Sequence, residues 1–485
     1  MSGTALASRT FGSEDQVLFA RLSGDFNPVH MDPVAARRTQ AGAVVVHGMH
    51  AVLWSLDRLA AAGALRDGVA GMRVQFAKFI PTGTTVQLKL VRNDEKAIRA
   101  ELELDGLTAT ILNLTPGKAG GSDGPALPAD LPGIAATERP ADLVRLEDAL
   151  DRCGWLETGG PIPAMQARFP HASSAIGAGR VAGLALLSRL VGMVCPGLHS
   201  IFAGFTVDFV EKADARDGVG FSVAGTDARF RMIRMNVAGA GLRGSVQAFL
   251  RWPPVVQASL DDIIKVVAPA EFAGSTALIV GGSRGLGALT AKVIAAGGGK
   301  VVVTYAVGRS DAEQVAGEIG ERFPRDACRV VQCDVRHDTA AQLGHVGAGI
   351  SQLYYFATAT IAKQKAEAYV PGLFDDFKRV YVDGFYDCCR FLEEQGTRTV
   401  TAFYPSSIFV ENAPPGMLEY SMAKAAGEVL CAHLNRSRSR VHAIVTRLPR
   451  LLTDQTATIP PVESADPLEV MLPVIRRVQS FAPDS

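Results

Sequence analysis

Apolar and polar residues alternate at period two through "GMRVQFAKF", "TTVQLKLVR" and "AIRAELELDGLTATILNL", between Gly71 and Leu114. The same alternation returns in "SIFAGFTVDFV", "GVGFSVAG", "RMIRMNVAG" and "RGSVQAFLRW", between Ser200 and Trp252. It predicts half-buried antiparallel strands. An apolar helical stretch precedes each set, one from Gly48 and one from Gly179. Leu56, Arg58 and Leu59 align with Leu187, Arg189 and Leu190, and Val74 and Phe76 align with Val207 and Phe209. The order of elements matches as well, so the two blocks are expected to be copies, each a long helix wrapped by an antiparallel sheet. A third pattern, "STALIVGGSRGLGALTAKVIAAGGGKVVVTY", predicts a strand, a glycine turn, a helix and a second strand. Apolar runs such as "VAGLALLSRLVGMV" fall short of the ~18 clean residues of a membrane span and carry arginine, so they are expected to be buried helices.

Breaks in these patterns divide the 485 residues. Residues 117–141 are rich in Gly, Pro and Ala, lack periodicity and are expected to be a linker. A second break falls near "RWPPVVQASLDD". The expected domains are therefore 1–116, 142–255 and 270–485. Lys plus Arg and Asp plus Glu number 49 each, and this neutral balance argues against nucleic-acid binding. The seven cysteines form no C-x-x-C pair. A reduced intracellular protein without structural zinc is expected. No basic patch followed by an apolar run opens the chain, so a cytoplasmic location is expected.

The stretch "SGDFNPVH" places Asp25 and His30 in one short loop, with Asn27 and Pro28 between them. Acid–base work beside a thioester needs two groups that titrate differently and lie on the same side of the substrate. Pro28 stiffens the turn, and Asn27 offers an amide to orient a neighbour. The wider segment "FARLSGDFNPVHMDPVAARRTQAGAVVVHGMH" resembles the (R)-specific enoyl-CoA hydratase, or MaoC-like dehydratase, family. The resemblance covers about the first 110 residues. It implies the hotdog fold, working in pairs, with Asp25 and His30 handling water and the α-proton and Asn27 supporting them. Gly48 stands where the family's central helix begins, a place for a backbone donor to the thioester oxygen. The second copy lacks an equivalent of the dyad; "WLETGGPIPAMQARFPH" offers only His171. It is expected to complete a dimer-like interface and part of the acyl tunnel, or to bind the acyl chain outright.

In the third block, Gly281, Gly285 and Gly287 follow a strand and open a helix, the arrangement that brings backbone N–H groups onto a pyrophosphate. Further on, "YPSSIFVENAPPGMLEYSMAK" carries Ser407, Tyr420 and Lys424. Together these features resemble the short-chain dehydrogenase/reductase family over residues 273–455, with its doubly wound parallel sheet. The resemblance implies that Tyr420 gives or takes the proton, Lys424 lowers its pKa and holds the ribose, and Ser407 steadies the carbonyl. It implies cofactor contacts from Gly281, Ser283, Arg284, Gly285, Leu286, Gly287, Asp334, Val335, Tyr420, Lys424 and Thr453. The second strand ends in Thr304 and Tyr305 where an NAD site carries a carboxylate, and Arg284 and Arg309 lie near, so NADP(H) is expected. Two departures stand out. "YYFATATI" replaces the family's Asn-Asn-Ala-Gly, and "YVDGFYD" is expected to put Asp383 where the family's helix asparagine holds a relay water.

The fold expected is thus an α+β double hotdog followed by an α/β Rossmann domain. The resemblance implies a bifunctional enzyme that reduces 3-oxoacyl thioesters with NADPH and dehydrates the (R)-3-hydroxyacyl product, as in fatty-acid-like or polyketide-like synthesis. Coenzyme A or a carrier protein would bear the acyl group, and a homo-oligomer is expected. The alternatives are the reverse pair, hydratase and dehydrogenase, and an acyl- or cofactor-binding scaffold with one inert half.

Overall fold

The computed structural model describes residues 3–121, 126–136, 139–158, 162–211, 216–346, 349–359, 361, 369–396, 398–437 and 439–481. Two compact units divide it, Met1–Pro253 with Thr458–Pro461, and Pro254–Ala457 with Val462–Ser485.

The first unit runs β1 (Thr4–Thr10), α1 (Ser13–Ser23), α2 (Gly48–Ala61), β2 (Val69–Phe76), β3 (Thr85–Asn93), β4 (Ile98–Leu104) and β5 (Leu107–Pro116). It continues through β6 (Gly133–Ile134), β7 (Cys153–Leu156), α3 (Pro170–Ile176), α4 (Ala178–Arg189), β8 (Ser200–Phe209), β9 (Val219–Asp227), β10 (Met232–Gly239) and β11 (Leu242–Leu250). All eleven strands form one sheet, in the order β1-β3-β4-β5-β2-β8-β11-β10-β9-β7-β6. The two copies meet edge to edge where β2 pairs antiparallel with β8, from Gly71↔Asp208 to Gln75↔Gly204. Glycine permits that approach: a Cβ on Gly71 would stand 2.8 Å from Asp208 Oδ1, and one on Gly204 would strike Val74 O.

Each copy wraps its sheet around one helix. From Val181 to Arg189 every residue of α4 is buried, as befits a helix apolar on all sides and enclosed by protein. A π-helical turn, Leu190–Val194, ends it. Among the described residues no single helix is long and apolar enough to cross a membrane; the bent pair Pro170–Ile176 and Ala178–Val194 passes on composition, but α4 lies in the hotdog core.

The expected linker is partly built into the sheet. Gly133 and Ile134 pair in parallel with Trp155 and Leu156. Leu127 and Leu131 lie against Gly220, whose missing side chain leaves them room. Apolar residues spaced irregularly can still fill a groove, which period counting overlooks. Residues 122–125 and 137–138 of that stretch, and Gly159–Pro161, lie outside the described residues.

The second unit contains β12 (Thr276–Val280), α5 (Gly285–Ala296), β13 (Lys300–Tyr305), α6 (Arg309–Gly320), β14 (Cys328–Gln332), β15 (Gln352–Tyr355), α7 (Pro371–Lys378), α8 (Gly384–Gln395), β16 (Val400–Ser407), α9 (Leu418–Arg436), β17 (Val441–Leu448) and α10 (Pro467–Ser480). Its six strands are all parallel, in the order β14-β13-β12-β15-β16-β17. That order reverses between β12 and β15, the switch point where doubly wound sheets bind ligands. Helices cover both faces, so strands such as β16 are buried along their whole length. The unit starts earlier than residue 270: Ile263 and Val267 are part of its core.

Candidate active sites

The first candidate site is the loop after α1. Gly24 ends that helix in the left-handed region, φ 79°, and lets the chain turn inward. A Cβ there would stand 2.8 Å from Arg189 Cδ, so the buried Arg189 side chain is the floor beneath the loop. Its guanidinium donates to the carbonyls of Ala135 and Glu157. Asn27 caps the short helix Pro28–Met31 by accepting from Val29 N at 3.1 Å. Its amide donates to Gly192 O at 2.6 Å and Gly197 O at 3.2 Å, both in the second copy.

Asp25 is 1% exposed. Ser188, from α4 of the second copy, donates to Asp25 Oδ2 at 2.7 Å, and Asn27 N donates to Oδ1 at 3.2 Å. Burial pushes the carboxyl pKa up, against the pull of His30, Ser188 and Asn27. His30 holds Nδ1 at 2.8 Å from Val45 O. A carbonyl only accepts, so Nδ1 carries a proton, and in the neutral ring Nε2 is left as the acceptor. His47 stacks on His30 with ring centroids 3.9 Å apart. Both His47 nitrogens face protein acceptors, Gln16 Oε1 and Asp25 O, each at 2.9 Å. The potential ligand atoms of Asp25, His30 and His47 lie within 4.8 Å of one another. With both His47 nitrogens so engaged, that ring supports the loop.

Asp25, His30, Gly48, Phe76, Ser188 and Phe202 line one cavity of about 90 Å³. Gly48 is the first residue of α2, and a Cβ there would strike the Phe76 ring at 2.8 Å. The second copy thus contributes Ser188 and Phe202 to the cavity, and sequence reasoning did not single out Ser188 as the partner of Asp25. In the repeat register that matches Arg58 with Arg189, Ser188 matches Asp57. Asp57 Oδ1 accepts from His171 N at 2.8 Å and Ala172 N at 3.1 Å, so it caps α3. Phe169 is buried just before α3, and the His171 residue is exposed. The position equivalent to the dyad is filled by a helix and an aromatic ring.

The second candidate site lies at the C-terminal end of β12. Gly281 and Gly285 have φ of 77° and 55°, and a Cβ on Gly287 would stand 2.8 Å from Gly282 Cα. Thr304 fixes the turn: its hydroxyl accepts from Gly281 N at 3.1 Å and its carbonyl from Gly282 N at 2.9 Å. A Cβ on Gly285 would meet nothing within 4 Å, so the turn is an open cradle at the start of the twelve-residue α5. The residues present therefore fit a dinucleotide: Gly281, Ser283, Arg284, Gly285, Leu286 and Gly287 would hold its pyrophosphate. Val335 is buried after β14; Asp334 beside it accepts from Arg336, which with its backbone contacts pulls its pKa down despite partial burial. Thr453 is tied into its own turn, its N–H donating to Thr456 Oγ1 at 2.8 Å.

Ser407 ends β16, and Tyr420 and Lys424 stand one turn apart on α9, on one face. Burial raises the Tyr420 pKa to about 12, with a Ser407 hydrogen bond pulling the other way. Burial lowers Lys424 to about 7. Lys424 Nζ donates to Pro405 O at 2.7 Å.

One expectation needs correction. Asp383 does not face Lys424: it pairs with Lys378, at 2.7 Å and 3.0 Å. The π-helical turn Arg379–Asp383 presents Tyr381 instead, whose ring centroid lies 4.0 Å from Lys424 Nζ. A position matched to the family's helix asparagine need not face inward when the turn is π. The two arginines near the expected 2′-phosphate position each pair with a carboxylate, Arg284 with Asp454 at 3.0 Å and Arg309 with Glu313 at 2.7 Å.

A buried carboxylate–imidazole loop on a hotdog, followed by a dinucleotide cradle with Ser, Tyr and Lys, defines a hydratase-type lyase joined to an oxidoreductase. Residues 4–110 match the MaoC like domain, and residues 275–456 match the short chain dehydrogenase family. The chain belongs to both families, as a fusion of the two. The (R)-specific enoyl-CoA hydratase of Aeromonas caviae is 31% identical over 103 residues, covering 21% of this chain and 69% of that protein. A dehydrogenase/reductase from Sinorhizobium meliloti 1021 is 21% identical, covering 45% of this chain and 91% of that one, with a TM-score of 0.38. A gluconate 5-dehydrogenase from Burkholderia cenocepacia J2315, solved with NADP and tartrate, is 21% identical, covering 39% and 76%, with a TM-score of 0.34.

Proposed function

We propose that this chain reduces 3-oxoacyl thioesters to (R)-3-hydroxyacyl thioesters and dehydrates these to trans-2-enoyl thioesters. The observation that carries the reading is the buried Asp25, held by Ser188 and sharing one cavity with His30 and Gly48. In dehydration the C2–H and C3–O bonds break, a C2=C3 bond forms and water leaves. Asp25 and His30 together take the α-proton and return a proton to the departing hydroxyl. The start of α2 at Gly48 favours the negative charge that gathers on the thioester oxygen.

In the reductase, NADPH held at the glycine turn would supply the hydride for the C3 carbonyl carbon. Tyr420 gives its proton to the carbonyl oxygen, and Ser407 holds that oxygen in place. A phenol pushed up to about 12 stays protonated at neutral pH, which suits the reductive direction. The lack of a carboxylate at Thr304 and Tyr305 supports NADPH over NADH. Fusion keeps the shared (R)-hydroxy intermediate at high effective concentration. The test is NADPH oxidation with a 3-oxoacyl thioester, run beside hydration of an enoyl thioester. Asp25→Asn should abolish only the second activity and Tyr420→Phe only the first. Variants that kept both activities would overturn the reading.

A further inference from the structure

Lys424 is the only buried lysine among the described residues. Its ammonium makes one hydrogen bond, to Pro405 O, and otherwise looks onto aromatic rings. The centroids of Tyr381, Tyr404 and Tyr420 lie 4.0, 5.2 and 5.9 Å from Nζ. Tyr381 is the nearest of the three and is itself locked: its hydroxyl shares a 2.7 Å hydrogen bond with Thr358 Oγ1, and its ring stacks on Phe377 and meets Tyr420 edge-on. A desolvated ammonium is attracted to the negative face of such a ring.

We propose that Tyr381 is a positioning residue of the reductase, whose ring face keeps the Lys424 ammonium charged and aimed in place of a helix-held water. The proposal rests on reading Ser407, Tyr420 and Lys424 as the reducing trio. Among the described residues the titratable groups facing Lys424 are Tyr420 and Cys431 on its own helix, Tyr404 on β16 and Tyr381 on the π-helical turn. Burial holds all four in their neutral forms at neutral pH. Among the described residues no carboxylate opposes the desolvation that draws Lys424 down to about 7; Cys431, Pro405 O and the rings favour its charge. Losing the Tyr381 ring should lower that midpoint by about one pH unit.

The test is an NMR titration of the cofactor-free full chain carrying ¹³Cε-lysine, with the Lys424 signal identified by its loss in Lys424→Arg. Tyr381→Leu should lower the Lys424 midpoint by about one unit, and the basic limb of the reductase pH profile should move with it. Tyr381→Phe keeps the ring and should titrate within a few tenths of the wild type. Pentafluorophenylalanine at position 381 keeps the shape but cancels the ring's negative face, so it should behave like leucine even if the leucine variant does not fold. Wild-type midpoints in both the leucine and pentafluorophenylalanine proteins would overturn the proposal. A Tyr420→Phe variant that still reduced substrate would instead overturn the reading of the site, whatever the Tyr381 variants did.

Discussion

The close approach of the second copy to Asp25 makes Gly192→Ala the sharpest perturbation of the dehydratase. A Cβ on Gly192 would stand 2.7 Å from Asp25 Cγ and Oδ2, and nearer still to Oδ1. Ordinary contact begins at 3.4 Å. Asp25 is closed in by Ser188 and by the Asn27 backbone, so it relieves the clash only by leaving both hydrogen bonds. A withdrawal of roughly 1 Å at a reacting group costs on the order of 10²-fold in rate. Overpacking should also cost about 1–3 kcal/mol of stability. The assay is hydration of a trans-2-enoyl thioester, with NADPH oxidation by the same preparation as the control for an intact chain. The expected result is roughly a hundredfold loss of hydration with reduction unchanged. Hydration within about threefold of the wild type, well short of the factor expected for a 1 Å displacement, would refute the argument that Gly192 sets the place of Asp25.

Ser188→Ala removes a hydrogen bond to a buried carboxylate, so hydration should fall about tenfold. Its acid limb should move to higher pH, because the lost bond had been lowering the Asp25 pKa. Asp57→Ala, at the matching position of the first copy, should leave both activities alone and cost ~0.5–2 kcal/mol in thermal unfolding, the value of a helix cap. The raised pKa of Asp25 also has a stability signature: between its unfolded value near 3.8 and its higher folded value, the folded chain holds a proton that the unfolded chain releases. Stability should therefore fall as pH rises through that window, and Asp25→Asn should flatten the decline in denaturant titrations.

Features confined to one stretch of chain are legible in the amino-acid sequence. The Asp25–His30 loop, the glycine turn and the Tyr420–Lys424 pair each lie within a few residues and carry their own local geometry. The duplicated pattern of helix and strands foretells two hotdog copies, and the strand–turn–helix–strand pattern foretells the doubly wound sheet after them. What escapes is non-local. Ser188 lies 163 residues from the carboxylate it holds. Gly192 matters only because a π-helical turn brings its backbone against Asp25 and Asn27. Tyr381, not Asp383, is the residue of the π turn that faces Lys424, which alignment with the family's asparagine does not show. The β1 strand at Thr4–Thr10 carries short residues without a strong alternation, and it is defined by its pairing with β3.

The two copies show how a duplicated fold divides its labour. Their central helices present Asp57 and Ser188 at matched positions, each reaching the segment that precedes the other copy's helix. In one direction the pair is a hydroxyl donating to a buried carboxylate. In the other it is a carboxylate accepting from two backbone N–H groups, which closes α3. A hydroxyl can hold a carboxylate without neutralising it, whereas a carboxylate in Ser188's place would set two negative charges together and drive one of them to protonate. On the proposed roles of Asp25 and His30, serine on one helix and aspartate on the other suit a double hotdog that keeps its acid–base loop at one end. The arrangement also makes the second copy part of the site itself: removal of residues 142–255 would strip Asp25 of its hydrogen-bond donor, its backbone floor and the Asn27 anchors in a single step.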